Sequence, residues 1–173
     1  MKSKCTMLVS SCDEYEDTWY PFFRILKANW DNIPYPIVLN TESKNFMYDD
    51  LDIKCFQLYQ ANEKVPWGKR LIDTLSKIES EYILFMLDDF FLLDKVDDIR
   101  LNQCMEWMDN NHNIAVFSFL DTPGENIQDN KYPNFEKRPQ NGEYRLNCQA
   151  AIWRREKLIS YIRPHESPWD WEI

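Results

Sequence analysis

The sequence predicts an α/β fold, an αβα sandwich built around a mostly parallel central sheet. Through the first two thirds of the chain, short apolar runs alternate with stretches whose apolar residues recur at helical spacing. The segment from Tyr82 to Leu87 is an almost unbroken apolar run, as a strand buried on both faces requires. It ends on adjacent carboxylates, Asp88 and Asp89. Buried unpaired carboxylates are costly, so the pair belongs where the strand ends, and ligands of such sheets bind at the carboxyl ends of strands.

Thr6 to Ser10 is read as the first buried strand, ended by Ser11-Cys12-Asp13. A helix follows, capped by Asp17-Thr18 and running through Trp30, with Pro21 in its first turn. Trp19, Phe22, Phe23, Leu26 and Trp30 lie near helical spacing, and Pro34-Tyr-Pro36 stops the segment. Ile37 to Leu39 and Ile53 to Tyr59 are the next strands. Pro66-Trp67-Gly68 opens a helix through about Ser80, ahead of the acidic strand. Asp97 to Asn111 is helical, its first acids suiting the helix dipole, and Ile114 to Phe119 is another buried strand. Asp121 to Asn141, rich in polar residues and proline, is a long loop, a kind of segment that often serves as a functional lid. A short strand is expected within Tyr144 to Ile152, then a helix from Arg154 to Arg163 closed by Pro164.

Composition narrows the function. A chain of 173 residues with 44% hydrophobic content suits one domain with a sizeable core. Its net charge of -9, without a run of Lys or Arg, disfavours nucleic-acid binding. The five cysteines are widely spaced, with neither CxxC nor zinc spacing, and read as reduced thiols of a cytoplasmic protein. The apolar stretch after Met1-Lys-Ser-Lys is too short for a secretory leader, and no apolar run approaches a membrane span. Peripheral attachment at the inner face of a membrane remains compatible with the sequence. Three glycines leave no room for a GxGxxG fingerprint or a P-loop, so a bound nucleotide would be held by other means.

The order of parts resembles GT-A-type nucleotide-sugar glycosyltransferases, especially bacterial enzymes that build capsular or lipopolysaccharide glycans. The matching pieces are Val9-Ser-Ser-Cys-Asp13, Trp67-Gly-Lys-Arg70, Leu87-Asp-Asp-Phe90 and Ser167-Pro-Trp-Asp-Trp-Glu172, spread over nearly the whole chain. The resemblance implies a single GT-A-like (Rossmann-like) domain over residues 1–173, shortened at its C-terminal end relative to the family. It implies transfer of a sugar from a nucleotide diphosphate to a glycan or lipid-linked acceptor. Ser11 and Asp13 would meet the base and ribose, Asp88 the ribose, and Asp89, assisted by Asp88, a Mg2+ or Mn2+ ion on the diphosphate. The family's usual Asp-any-Asp is here Asp-Asp-Phe, with Phe90 in the third place. Glu172, with Asp170 second, matches the position of the catalytic base.

Arg70 and Lys69 are cations available to the leaving diphosphate, and Trp153, Trp169 and Trp171 offer broad rings for stacking on acceptor sugars. The competing expectation is a GT-A-like module that binds nucleotide sugar or glycan without turnover. A nucleotidyltransferase would also place acids at strand ends, but its glycine-rich phosphate loop is missing.

Overall fold

A computed structural model describes residues 3–121, 124 and 126–172. Met1 and Lys2 of the leader reading, Thr122, Pro123 and Glu125 of the long loop, and Ile173 lie outside the described residues.

The strands are β1 (Cys5–Ser10), β2 (Ile37–Asn40), β3 (Ile53–Cys55), β4 (Tyr82–Leu87), β5 (Val116–Ser118), β6 (Ile127–Gln128), β7 (Glu136–Lys137) and β8 (Ala151–Arg154). The helices are α1 (Glu16–Asn29), α2 (Trp67–Lys77), α3 (Asp98–Asn110), α4 (Arg155–Tyr161) and α5 (Pro168–Trp171). Six strands form the central sheet in the order β3-β2-β1-β4-β8-β5. β3, β2, β1 and β4 are mutually parallel, whereas β8 runs antiparallel to both β4 and β5. This is the expected αβα sandwich with a mostly parallel sheet.

The strands show why two layers of helix are needed. In β1, Cys5, Met7 and Val9 enter one core and Leu8 the other. In β4, Tyr82, Leu84 and Met86 divide in the same way from Ile83 and Phe85. Successive side chains of a strand point to opposite faces, so each buried strand feeds two cores. Trp19, Phe22, Phe23 and Leu26 of α1 close the first core together with α3. Trp67, Leu71 and Leu75 of α2 close the second with Leu158 of α4.

Several boundaries differ from expectation for physical reasons. β3 stops at Cys55 because Gln57 has a φ of 49° in the left-handed region, which no strand accommodates. α1 begins at Glu16, continuing a 3-10 turn over Asp13–Tyr15, so Pro21 lies inside the helix rather than in its first turn. Thr18 is no cap: its hydroxyl bonds to the Tyr15 carbonyl and to Asp88. The strand expected within residues 144–152 starts only at Ala151 and continues to Arg154. The long loop holds the β6–β7 hairpin. Among the described residues, no helix is long and apolar enough to cross a membrane.

Candidate functional site

The C-terminal ends of β1, β2 and β4 meet at one edge of the sheet, since Ser10 pairs with both Asn40 and Leu87. The polar residues following those strands interlock there. Asp88, only 6% exposed, accepts hydrogen bonds from the hydroxyls of Ser11 (2.5 Å) and Thr18 (3.0 Å). The Trp19 indole N–H donates to the Ser11 hydroxyl at 2.7 Å, so a relay of donors ends on the carboxylate. Burial pushes the Asp88 carboxyl above its usual value, the two hydroxyls oppose this, and the charge of Asp89 adds to the rise. Asp89 itself is exposed beside it. Phe90, in the third place, packs against the apolar core.

Asp13 faces the loop after β2. Its carboxylate accepts from the backbone N–H groups of Glu42 (2.9 Å), Ser43 (3.0 Å) and Lys44 (3.2 Å) and from the Ser43 hydroxyl (2.7 Å). Burial would raise its carboxyl, but the Ser43 hydroxyl and these N–H groups outweigh burial and hold it below the ordinary carboxylate range. Glu42 answers reciprocally, accepting from the Asp13 N–H at 2.5 Å and pairing with Arg70 at 3.0 Å.

Arg70 is 7% exposed, and its guanidinium also donates to the Ser11 carbonyl at 2.7 Å. It therefore braces the β1 and β2 ends against α2. Lys69 pairs with Asp73 on the same helix.

Sequence reasoning missed Glu42, Thr18 and Trp19. Glu42 had a signal, because it follows the apolar run of β2 as Asp13 and Asp88 follow theirs. Thr18 and Trp19 had none apart from the tertiary contact.

The C-terminal segment reaches the same end of the sheet by another route. Phe85 of β4 pairs with Ala151, the first residue of antiparallel β8, so the chain enters β8 from the end of the sheet at which β4 finishes. The Cys148 N–H donates to the Glu172 carboxylate at 2.8 Å. Burial, and then the nearby Glu172 charge, push the Cys148 thiol up to about 12. Asp170 is engaged otherwise: it forms a capping box with Ser167 at the start of α5. The Ser167 hydroxyl and N–H hold the Asp170 carboxyl low, which suits a cap better than a base.

The tryptophans divide. Trp153 and Trp171 are 2% and 3% exposed and pack on each other, and Trp67 also packs on Trp171. Burial makes Trp171 a core residue rather than the acceptor platform expected of it, whereas Trp153, though buried, also lines the cavity beside β5. Trp169 is 71% exposed.

The α2 N-terminus is sealed by this segment. The Gly68 and Lys69 N–H groups donate to the carbonyls of Glu166 and Pro164, each at 3.0 Å. A Cβ on Gly68 would stand 2.1 Å from the Arg163 carbonyl oxygen, so only glycine permits the approach.

A divalent ion fits this edge in a limited sense. Among the described residues, no three His, Cys, Asp or Glu side chains form a metal-holding group. Mg2+ is often held by one or two carboxylates plus substrate phosphates, and exposed Asp89 beside Asp88 provides that much.

No protein-family model and no curated protein matches the chain. Solved structures do. The chain is similar to S. aureus TarS residues 1–349, with a TM-score of 0.56 and 17% identity, covering 95% of this chain and 51% of that one. The same TarS fragment in complex with UDP-GlcNAc gives a TM-score of 0.58 at 17% identity, covering 94% and 49%. A longer S. aureus TarS structure gives 0.53 at 15% identity, covering 94% of this chain and 31% of that one. At these identities the likeness is one of fold, and the chain spans about half of the TarS fragment or less. What the likeness establishes for this chain is an α/β fold shared with the S. aureus TarS structures.

Proposed function

We propose that the protein is a glycosyltransferase that moves a sugar from a nucleotide diphosphate to a glycan or lipid-linked acceptor. The observation that carries this reading is the carboxylate pair at the C-terminal end of β4, with Glu172 as the candidate base on the C-terminal segment. Asp88 is buried on a hydroxyl relay, Asp89 is exposed next to it, and Glu172 hangs from the Cys148 N–H. Similarity of fold to a protein crystallised with UDP-GlcNAc supports a nucleotide-sugar donor.

Ser11 and Asp88 serve the ribose, and the Asp13-braced loop with Glu42 borders the base. Asp89 is the residue to hold Mg2+ or Mn2+ against the diphosphate, and the ion's chemistry is to neutralise charge on the leaving group. Glu172 takes the proton of the acceptor hydroxyl, and a base so placed favours inversion at the anomeric carbon. Bacterial capsule or lipopolysaccharide assembly, on the cytoplasmic side of a membrane, is the setting proposed for this activity.

The test is calorimetric titration of UDP, GDP, CMP and thymidine diphosphate with and without Mn2+. One nucleotide should bind in a metal-dependent manner, and Asp89→Ala should abolish the metal dependence. Absence of metal-dependent nucleotide binding by the wild-type protein overturns the enzyme reading. The core position of Phe90 favours a second reading, a binding module that holds nucleotide sugar without turnover. Tight donor binding with neither transfer nor donor hydrolysis would select it.

A further inference from the structure

A cavity of about 1350 Å³ lies along the free edge of the sheet, between β5 and the long excursion that leads into β8. It exceeds the usual size of a small-ligand pocket, roughly 300–1,000 Å³, and suits an extended ligand. Ser118, Asn147 and Ala151 line it at the end of the sheet that carries Asp88. Asn147 directly precedes Cys148, whose N–H holds Glu172.

Its lining has the chemistry of a sugar site. Tyr132, Phe135, Tyr144 and Tyr161 contribute aromatic rings, and Asn113, Asn126, Asn130 and Asn134 contribute amides. An amide offers both donors and acceptors, as a ring of hydroxyls requires, while an aromatic face covers the apolar C–H face of a sugar. The charges of the described lining residues cancel: Asp121, Asp129 and Glu136 stand against Lys137, Arg138 and Arg145. In a chain of net charge -9, this is a locally neutral surface, with no excess of cations for a polyanion.

Tyr144 is the second, independent observation. Its φ of 51° lies in the left-handed region, unusual for a bulky side chain, and the residue is 44% exposed. Asn147, itself 8% exposed, pins it by donating to the Tyr144 carbonyl at 2.9 Å. A strained backbone thus presents an aromatic ring that the core does not use.

We propose that this cavity binds an uncharged oligosaccharide, with Tyr144 as the platform for one sugar ring. Calling that oligosaccharide the acceptor rests on the glycosyltransferase reading; its binding does not. Cellotetraose, maltotetraose and N-acetylchitotetraose, with tetragalacturonate as the anionic arm, are titrated against the whole chain by saturation-transfer NMR and calorimetry. At least one neutral tetrasaccharide should bind and tetragalacturonate should bind more weakly. Tyr144→Ala should weaken the neutral ligand tenfold or more, with Tyr144→Phe close to wild type because stacking needs no hydroxyl. Tyr161→Ala serves as the second lining variant if thermal melting shows Tyr144→Ala unfolded, and it too should weaken binding. Failure of all neutral tetrasaccharides to bind, tighter binding of tetragalacturonate, or wild-type affinity in the folded variants overturns the proposal. Nucleotide titration is a separate readout, so loss of the donor reading and loss of the cavity are distinguishable.

Discussion

The two halves of the sheet are held in different ways. At the ends of the parallel strands β1, β2 and β4, polar side chains bond to groups far away in sequence: Asp13 to residues 42–44, Arg70 to Glu42 and Ser11, and Ser11 to Asp88. Beside antiparallel β8 and β5, many bonds of the excursion are local, such as Asn147 to Tyr144, Arg145 to Gln140 and Tyr132 to Asp129. A network that closes over distant segments fixes its members before a ligand arrives, whereas a loop bonded mainly to itself can adjust its shape. Under the proposed function, the rigid end suits the invariant part of the reaction, the nucleotide, and the adaptable edge the variable part, the acceptor.

The sharpest test of that division is Glu172, held on the C-terminal segment by the Cys148 N–H. Glu172→Gln should lower transfer by roughly 10²–10⁴-fold while leaving nucleotide affinity unchanged, as measured by initial rates beside calorimetry. Transfer at the wild-type rate would remove Glu172 from the chemistry.

Gly68→Ala tests how that segment is moored. The added methyl meets backbone at Arg163, so unfolding stability should fall by about 1–3 kcal/mol or more in a denaturant titration. An unchanged midpoint would show that residues 163–166 yield without cost.

Asp13→Ala tests the rigid end itself. Loss of an acceptor for the 42–44 loop should cost about 2 kcal/mol. The folded carboxyl is held low, so its contribution is present above the usual value of 3.8 and is lost as pH falls through the lower folded value. The variant should therefore lose part of the acid limb of its stability profile.

Asp88→Asn should have the smallest effect on stability and the opposite sign. The folded Asp88 carboxyl is raised, chiefly by burial, so its cost to stability grows as pH climbs from 3.8 toward the folded value and is constant above it. Removing that charge should leave the melting temperature equal to or above wild type at neutral pH while weakening nucleotide binding. A clear drop in stability would mean that the ionised carboxylate holds the strand ends together.

Much of this was readable before the fold was known, though unevenly. The apolar runs of β1, β2 and β4 announced buried strands, and Asp88-Asp89 announced a strand end, because burial and charge are properties of residue type. β8 starts later than the residue pattern indicates, and its antiparallel direction is not legible in the sequence, since a short strand of four residues carries no directional mark. A tryptophan suits an acceptor surface or a core equally by residue type; Trp171 is a core residue, and Trp153 is buried but also lines the cavity beside β5. Glu42 was within reach of the strand-end rule, while Thr18 and Trp19 were not.

By itself the sequence determined the layers, the alternation of the strands between two cores and the carboxylates at their ends, because hydrophobic periodicity and the cost of buried charge act locally. Only the tertiary structure decided which polar groups meet. Asp13 turns to the loop after β2, Arg70 to Glu42, and Glu172 to the Cys148 N–H. Those pairings depend on the packing of distant segments, and periodicity specifies the face on which a residue lies but not the partner it will find there.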